Sequence, residues 1–307
     1  MKKFAKIMLI IAAVFAVLGI GLSVAGAAMG AGSADFSQTM KDRFGNAFRY
    51  AYYFVKDDDS HDNEWDDNEW DDDQEEHESE HKTGSSVSGT SDGNLKTYQI
   101  DDIEKILNLE IDLTYDELIL ETHSGNDIKV DVENDDAGNV KVRTDSDTLY
   151  ITSTKKNTPH RTISVYYPEN MKFAETEIEV AAGNIQMNSD FYAGSLEVYV
   201  GAGEFKNVAS VTANDTSIEV GTGSVQLSGL DTKLLEGECG MGALTLELAG
   251  KESDYSYKLE CGVGNIQLGS QSYSGLGREK TIQNPGASRE ANLECGMGEI
   301  SVSFLEK

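Results

Sequence analysis

The sequence predicts an all-β protein: a parallel β-solenoid, of the β-helix or β-roll type, preceded by one N-terminal transmembrane helix. Two observations predict the solenoid. A short phrase built around glycine recurs six times, with its second glycine at positions 183, 203, 223, 242, 264 and 298. A period of about 20 residues is typical of stacked repeats that each bury a face on their neighbours. Around these phrases apolar and polar residues alternate, which indicates half-buried strands.

The composition limits the kinds of partner that the protein can have. The chain contains 307 residues, with 25 Lys and Arg against 54 Asp and Glu, and carries a formal charge of −29. An excess of negative charge repels the phosphates of nucleic acids. We therefore expect no nucleic-acid partner.

The N-terminus predicts the compartment. Lys2, Lys3 and Lys6 lie in a short cytoplasmic tip, residues 1–6, and are followed by an uncharged run over residues 7–34. This run exceeds the ~20 residues that a transmembrane helix needs, and the preceding lysines favour export of the C-terminal body. The alternative is a cleaved signal peptide, with Ala25 and Ala27 at a small-residue cleavage site. Both alternatives export the body. We favour the uncleaved anchor, because the uncharged run is longer than the apolar stretch of a signal peptide, and so expect a single-pass membrane protein with an extracytoplasmic C-terminal domain.

Residues 35–56 form a predicted juxtamembrane amphipathic segment. Phe44, Phe48, Tyr52 and Val55 recur at helical spacing among basic residues. This pattern is typical of a helix that lies in the headgroup region of a membrane. The alternative is a helix that packs on another protein.

Residues 57–94 are predicted to be an acidic disordered linker. They contain sixteen acidic residues against a single lysine, Lys82, and two copies of Asp-Asn-Glu-Trp. Such a density of like charge prevents collapse, so the segment should stay extended and solvated.

Residues 95–307 are predicted to be the β-solenoid repeat domain. In each repeat a small apolar residue precedes the glycine turn and points inward by alternation. The glycines should permit positive φ and close backbone approach at the corners. The gap between the last two phrases predicts a loop over residues 270–286, and residues 301–307 should form the last edge of the stack. The inward residues before the turn are Val180, Val200, Val220, Cys239, Cys261 and Cys295.

The chain lacks recognisable catalytic motifs. The glycine phrases are not followed by Gly-Lys-(Ser/Thr) or by a helix, so they do not predict a phosphate loop. The body histidines, His123 and His160, are not accompanied by a Gly-x-Ser-x-Gly motif. No carboxylate pair of a glycosidase stands out by its spacing, although acids are abundant. We therefore expect no enzyme, no catalytic residues and no bound cofactor.

Glutamates before the turn suggest one candidate site. By alternation they face outward, and stacking should place neighbours about 5 Å apart, where like charges repel. Carboxylate oxygens are the ligands that Ca²⁺ prefers, so the row is a candidate cation ladder. The alternative is a solvated polar face that binds no metal. The five members are Glu179, Glu219, Glu238, Glu260 and Glu294.

The repeated phrases Gly-x-Gly-(Asn/Glu/Ser)-(Ile/Val)-x-(Leu/Met), from about residue 109 to residue 304, resemble a bacterial family of β-strand-repeat proteins known as putative adhesins. That family is catalogued as a domain of unknown function. The resemblance implies a non-enzymatic, membrane-anchored cell-surface protein, an adhesin or envelope scaffold. It also supports an alternative, an accessory component of envelope-stress sensing. A polysaccharide-active β-helix enzyme is the third alternative, because acidic residues that could form a carboxylate pair are abundant. Together with the predicted N-terminal helix, the resemblance indicates a protein of a bacterial cell membrane. The expected partners are the membrane, through that helix, and cell-wall polymers, host-surface polymers or an envelope protein.

Overall fold

The computed structural model describes residues 87–154, 160–275 and 277–306. The predictions for the cytoplasmic tip, the transmembrane helix, the amphipathic segment and most of the acidic linker lie outside the described residues. Within the described ranges, no helix is long and apolar enough to cross a membrane. These ranges form an all-β fold of 23 strands with two short 3-10 turns, Ile103–Lys105 and Glu252–Asp254.

The strands follow the predicted alternation of buried and solvent-facing residues. Leu109, Ile111 and Leu113 of β3, for example, are fully buried, while Asp112 between them is exposed. In chain order the strands are β1 (Val87–Asp92), β2 (Leu95–Ile100), β3 (Asn108–Leu113), β4 (Asp116–His123), β5 (Ile128–Glu133), β6 (Val140–Asp145), β7 (Thr148–Ser153), β8 (Arg161–Pro168), β9 (Phe173–Val180), β10 (Asn184–Met187), β11 (Phe191–Val200), β12 (Glu204–Asn207), β13 (Val211–Thr212), β14 (Asp215–Val220), β15 (Ser224–Asp231), β16 (Leu234–Cys239), β17 (Ala243–Ala249), β18 (Tyr255–Cys261), β19 (Asn265–Leu268), β20 (Gln271–Ser274), β21 (Arg278–Ile282), β22 (Arg289–Cys295) and β23 (Glu299–Leu305).

The strands form two sheets, and each glycine phrase is the turn that carries the chain from one sheet to the other. We call the sheet before the turns sheet B and the sheet after them sheet A. Sheet B runs in the order β6, β7, β3, β9, β11, β14, β16, β22, β18, β21. Sheet A runs β1, β2, β5, β8, β4, β10, β12, β15, β17, β23, β19, β20, with β13 beside β15.

The central part of each sheet is parallel, and its outer pairings are antiparallel. Eight coils, each with one strand in each sheet, stack in register in the described residues, which is a solenoid-like arrangement. Antiparallel strands close both ends, such as β6 on β7 and β21 on β18.

Two coils lie out of chain order. The pair β3–β4 is inserted between β7–β8 and β9–β10, and the pair β22–β23 is inserted between β16–β17 and β18–β19. The prediction that residues 301–307 form the last edge is therefore wrong, because β23 is hydrogen-bonded on both sides. The stack ends instead at β20 and β21.

The inner faces of both sheets pack into one hydrophobic core. The prediction that the Val/Cys row before the turn points inward is confirmed, since each member is at most 4% exposed. Every phrase contributes one residue to this row and one to the apolar row after the turn. Each coil therefore buries its apolar face on the coils above and below it.

Two segment boundaries differ from the sequence analysis. Residues 270–286, predicted as a loop, contain the strands β20 and β21. Residues 87–92, assigned to the acidic linker, form β1, which pairs with β2. Gly93, with φ of 59°, supplies the tight turn between β1 and β2. The strand was missed because it lacks apolar alternation and lies at the edge of the sheet.

Of the two reasons expected for the turn glycines, the structure supports close backbone approach and not positive φ. None of the six second glycines of the phrases has a positive φ. A Cβ added at Gly203 would instead overlap the carbonyl oxygen of Gly183 on the next coil. The predicted close approach of stacked backbones is therefore confirmed, and the predicted left-handed conformation is wrong.

Candidate functional site

The five glutamates predicted as a cation ladder do lie in one outward row of sheet B, but in a different order. Glu294 lies between Glu238 and Glu260, because β22 is inserted between β16 and β18. Tyr199 of β11 occupies the position between Glu179 and Glu219. Directly paired residues of neighbouring strands are about 5 Å apart, so the carboxylates form a column along the stack.

The structure adds two acids to this row that sequence reasoning missed. Asp112 of β3 pairs directly with Glu179, and Glu279 of β21 pairs with Glu260. Neither residue belongs to a glycine phrase, and β3 becomes the neighbour of β9 only through its insertion. We call the full row the acid ladder; in spatial order it is Asp112, Glu179, Tyr199, Glu219, Glu238, Glu294, Glu260 and Glu279.

A second row of acids lies beside the ladder near β9. Glu177 is flanked by Glu110 of β3 and Glu197 of β11. Partial burial raises the pKa of Glu177, and the charges on Glu110 and Glu197 raise it further. Although Asp112 as a whole residue is exposed, partial desolvation of its carboxyl group raises its pKa. On the outer face of sheet B around β3 and β9, burial therefore disfavours ionisation of Glu177 and Asp112, and neighbouring carboxylates add to this effect at Glu177.

Glu219 has the most perturbed carboxyl group of the ladder residues whose shift is resolved. Partial burial raises the pKa of Glu219 to about 7, with further increases from the charges of Glu238 and Glu179. Burial together with Glu219 and Glu179 raises the pKa of Tyr199 to about 12. At neutral pH Tyr199 is therefore an uncharged spacer, and Glu219 is only partly ionised.

Positive charge near the ladder is sparse but present. Lys258 Nζ lies 2.9 Å from Glu260 Oε1, in a pair that is partly exposed. Among the residues that the structure describes, no group of three or more His, Cys, Asp or Glu side chains is arranged to hold a metal ion. The carboxylates lie along a line, whereas Ca²⁺ is surrounded by six to eight oxygens. Calcium binding by the ladder stays a prediction.

The outer face of sheet A has a different chemistry. One row along it consists of amides and hydroxyls with a single charged member, Lys206, whose Nζ lies 2.6 Å from Glu204 Oε1. Gln186 and Gln226 on either side of Lys206 are exposed. We call this row the amide row; in spatial order it is Gln186, Lys206, Gln226, Thr245, Ser301, Gln267 and Ser272.

Comparison with solved structures finds chains described as adhesion proteins, all at low identity. A putative cell adhesion protein from Clostridium sporogenes is 15% identical, with 71% of this chain and 100% of that chain covered and a TM-score of 0.37. A putative adhesin from Bacteroides fragilis is 16% identical, with 68% and 96% covered and a TM-score of 0.39. A putative adhesin from Parabacteroides merdae is 13% identical, with 70% and 97% covered and a TM-score of 0.29.

A search of curated proteins finds no significant match to this chain. The family model described as Toastrack DUF4097 matches residues 106–306. The matched region begins two residues before β3 and includes every strand from β3 to β23. It covers all six glycine phrases and well over half of the 307 residues. The chain therefore belongs to the Toastrack DUF4097 family.

Proposed function

We propose that this chain is a non-enzymatic, membrane-anchored protein of the bacterial cell surface, an adhesin-like protein or envelope scaffold. The β-solenoid domain binds a polymer outside the cell, and the N-terminal segment holds it at the membrane. The observation that carries the proposal is the pair of long polar rows, one on each outer face. Their side chains repeat about every 5 Å along the stack, which suits a partner that is itself extended.

The two faces favour different partners. The acid ladder repels anionic polymers and attracts cationic ones. The amide row offers hydrogen-bond donors and acceptors with little net charge, which match the hydroxyl groups of a polysaccharide. We propose the amide row as the surface that binds a cell-wall or host-surface polysaccharide.

Binding to purified polysaccharides tests the amide row. Replacing Gln186 and Gln226 with alanine should weaken binding by about tenfold to thirtyfold, because each lost hydrogen bond contributes about 1 kcal/mol. The matched control replaces Ser217 and Glu236, adjacent residues on the outer face of sheet B, with alanine. Equal weakening by both double variants, or by neither, would reject the assignment to sheet A.

Protease accessibility on intact cells tests the placement outside the membrane. Cleavage within residues 57–86 without lysis, followed by mass spectrometry, is the expected result. Protection until lysis would place the domain inside the cell and end the adhesion proposal. A deletion strain with normal attachment but altered transcription under cell-wall antibiotics would instead favour the role in envelope-stress sensing.

A further inference from the structure

Three cysteines from distant parts of the repeat domain form one column in the core. Cys239 of β16 pairs directly with Cys295 of β22, which pairs directly with Cys261 of β18. All three are free thiols, and their exposed fractions are 2% for Cys239, 1% for Cys295 and 4% for Cys261. The insertion of β22 therefore makes Cys295, the last in the chain, the middle member of what we call the cysteine column.

The thiols of the column contact one another in sequence. Side-chain hydrogen bonds link Cys295 to Cys239 on one side and to Cys261 on the other. The hydrogen bond between Cys239 and Cys295 lowers the pKa of Cys239 and raises that of Cys295. Glycine turns leave the space for these contacts: a Cβ added at Gly264 would lie 2.6 Å from the sulfur of Cys295.

The strand register restricts which thiols can be joined. Directly paired neighbours are about 4.8 Å apart, within the ~4.4–6.8 Å range of Cα separations in disulfides. Cys239 and Cys261 are two strands apart, roughly 10 Å, which exceeds the limit of ~7 Å. Any disulfide in the folded protein must therefore contain Cys295, and one of the other two thiols must stay reduced.

One end of the column reaches a pocket at the end of the stack. The pocket has a volume of about 550 Å³ and is lined by Cys261, Tyr273, Arg278 and Lys280 among others. Tyr273 and Lys280 pair with the core residues Ile266 and Leu259, so this last layer places polar groups where the inner coils have apolar ones. The volume is within the range of small-molecule sites, about 300–1,000 Å³.

The pocket combines a thiol with positive charge in an otherwise acidic protein. Lys280 Nζ lies 4.5 Å from the centre of the Tyr273 ring, and Arg278 pairs directly with Cys261. The backbone of Gly275 near Cys261 partly offsets the rise that burial causes in the pKa of this thiol. Glu279 also contributes to the lining, but its position in the sheet belongs to the acid ladder on the outer face.

We propose that this pocket binds an anionic low-molecular-weight disulfide, which oxidises the cysteine column through Cys261. The two cations attract the anionic groups of the disulfide, and Cys261 is the column thiol that lines the pocket. The product is a single intramolecular disulfide that contains Cys295. It ties the inserted strand β22 to one of its neighbours.

The exchange needs no reactant other than the disulfide R–S–S–R. The Cys261 thiolate attacks one sulfur, forms a mixed disulfide and expels R–S⁻, which takes up the proton that Cys261 lost. The Cys295 thiolate then attacks the Cys261 sulfur and expels the second R–S⁻, which is protonated in turn. Two protein thiols are oxidised to one disulfide, and R–S–S–R is reduced to two R–SH.

The bridge can then move along the column without further oxidation. The Cys239 thiolate attacks the sulfur of Cys295 and expels the Cys261 thiolate, which takes up the proton from Cys239. Burial raises the pKa of Cys261, so the first attack is slow at neutral pH and is best measured in mildly alkaline buffer. The proposal does not depend on adhesion and can fail or succeed separately from it.

Mass spectrometry of the purified full-length chain after treatment with oxidised glutathione tests the proposal. Trypsin cleaves after lysine and arginine, which separates the cysteines into peptides 234–251, 259–278 and 290–307. We expect loss of two of the three thiols, no retained glutathione, and bridges that always include peptide 290–307. Three free thiols after prolonged treatment, or a bridge between 234–251 and 259–278, would overturn the proposal.

Two valine variants test the order of the steps, since valine fills the same slot in the first three phrases. Cys295→Val should stop at one glutathione attached to Cys261, with no intramolecular bridge. Cys261→Val should slow the oxidation of the other two thiols by about tenfold or more, because they lie behind it. An unchanged rate in Cys261→Val, or glutathione attached elsewhere in Cys295→Val, would contradict the route through the pocket.

The charge of the reagent tests the role of the two cations. Lys280→Gln should slow the reaction with anionic oxidised glutathione by about threefold to tenfold. The same variant should not slow the reaction with cystamine, a cationic disulfide. Equal effects of Lys280→Gln on both reagents would show that the pocket does not select an anionic disulfide.

Discussion

Glu219 shows how a single carboxyl group can make the stability of this fold depend on pH. The group is half-buried between Tyr199 and Glu238, and its pKa rises from 4.5 in the unfolded chain to about 7. A raised carboxyl pKa favours the folded state while the group is protonated. Its contribution is therefore fully present below about pH 4.5 and is lost as the pH rises through 7.

We expect Glu219→Gln to stabilise the protein at about pH 8 and to leave its stability unchanged below about pH 4.5. The gain should be about 1–2 kcal/mol, less than the full ~1.4 kcal/mol per pKa unit, because water screens a half-buried group. Urea unfolding of both proteins across this pH range measures the difference in the free energy of unfolding. The control Glu204→Gln removes a carboxylate from the other sheet. If wild type and Glu219→Gln kept parallel pH profiles, burial of the charge would not be the cause.

At the scale of a single element, the glycine turns set how closely two coils can approach. We expect Gly203→Ala to destabilise the fold by about 3 kcal/mol, the upper end of the range for overpacking, because the new Cβ meets backbone of the next coil. The control is Gly89→Ala in β1, where the nearest atom would be 3.7 Å from the Cβ. It should change the free energy of unfolding by less than about 0.5 kcal/mol. Similar urea midpoints for the two variants would contradict the close approach.

A buried ion pair connects the inserted coil β3–β4 to the neighbouring coil β7–β8. Arg161 of β8 donates from Nε to Asp116 Oδ1 of β4 at 2.6 Å, and both side chains are fully buried. Arg161 also lies 3.8 Å from Asp135, and Ser153 of β7 donates to Asp116. The cluster thus joins β4 to the coil of β7 and β8 beside which it is inserted.

We expect Arg161→Leu to cost about 3–5 kcal/mol, because it leaves the Asp116 carboxylate buried without its cation. The partly exposed pair between Lys129 and Asp131, 2.6 Å apart, provides the matched control. Lys129→Ala should cost less than about 1 kcal/mol, since water screens that pair. Thermal unfolding of both variants checks the difference. A loss below 1 kcal/mol for Arg161→Leu would mean that the pair does not hold the coil.

At the scale of the whole domain, the position of the last coil determines what a C-terminal truncation does. Removal of residues 289–307 takes out β22 and β23, which are paired on both sides in the interior of the stack. It leaves four unpaired strand edges and an open core. We expect loss of cooperative unfolding and rapid proteolysis. Deletion of residues 87–92, which removes only the edge strand β1, should lower Tm by a few degrees. A truncated chain that melts cooperatively near the wild-type Tm would contradict the insertion.

Local features of the candidate sites were visible in the sequence, but their neighbours were not. The phrase repeat identified the five glutamates and the inward cysteine slot, because both follow from period-two alternation within one strand. Asp112 and Glu279 were not identified from the sequence, because their place in the acid ladder depends on strand pairing alone. The pocket lined by Cys261 and Lys280 was not predicted either, because β20 and β21 lack the alternation that predicts a strand.

The sequence alone determined the all-β class, the repeat, the inward and outward rows and the close turns. Each of these features is a property of a few consecutive residues. It can be recognised from the alternation of apolar and polar residues or from a glycine that lacks a side chain. The tertiary structure alone decided the order of the coils. The two hydrogen-bonding edges of a strand are made of the same backbone groups, so a strand does not encode which neighbour it takes. That choice placed Glu294 between Glu238 and Glu260, and Cys295 between Cys239 and Cys261.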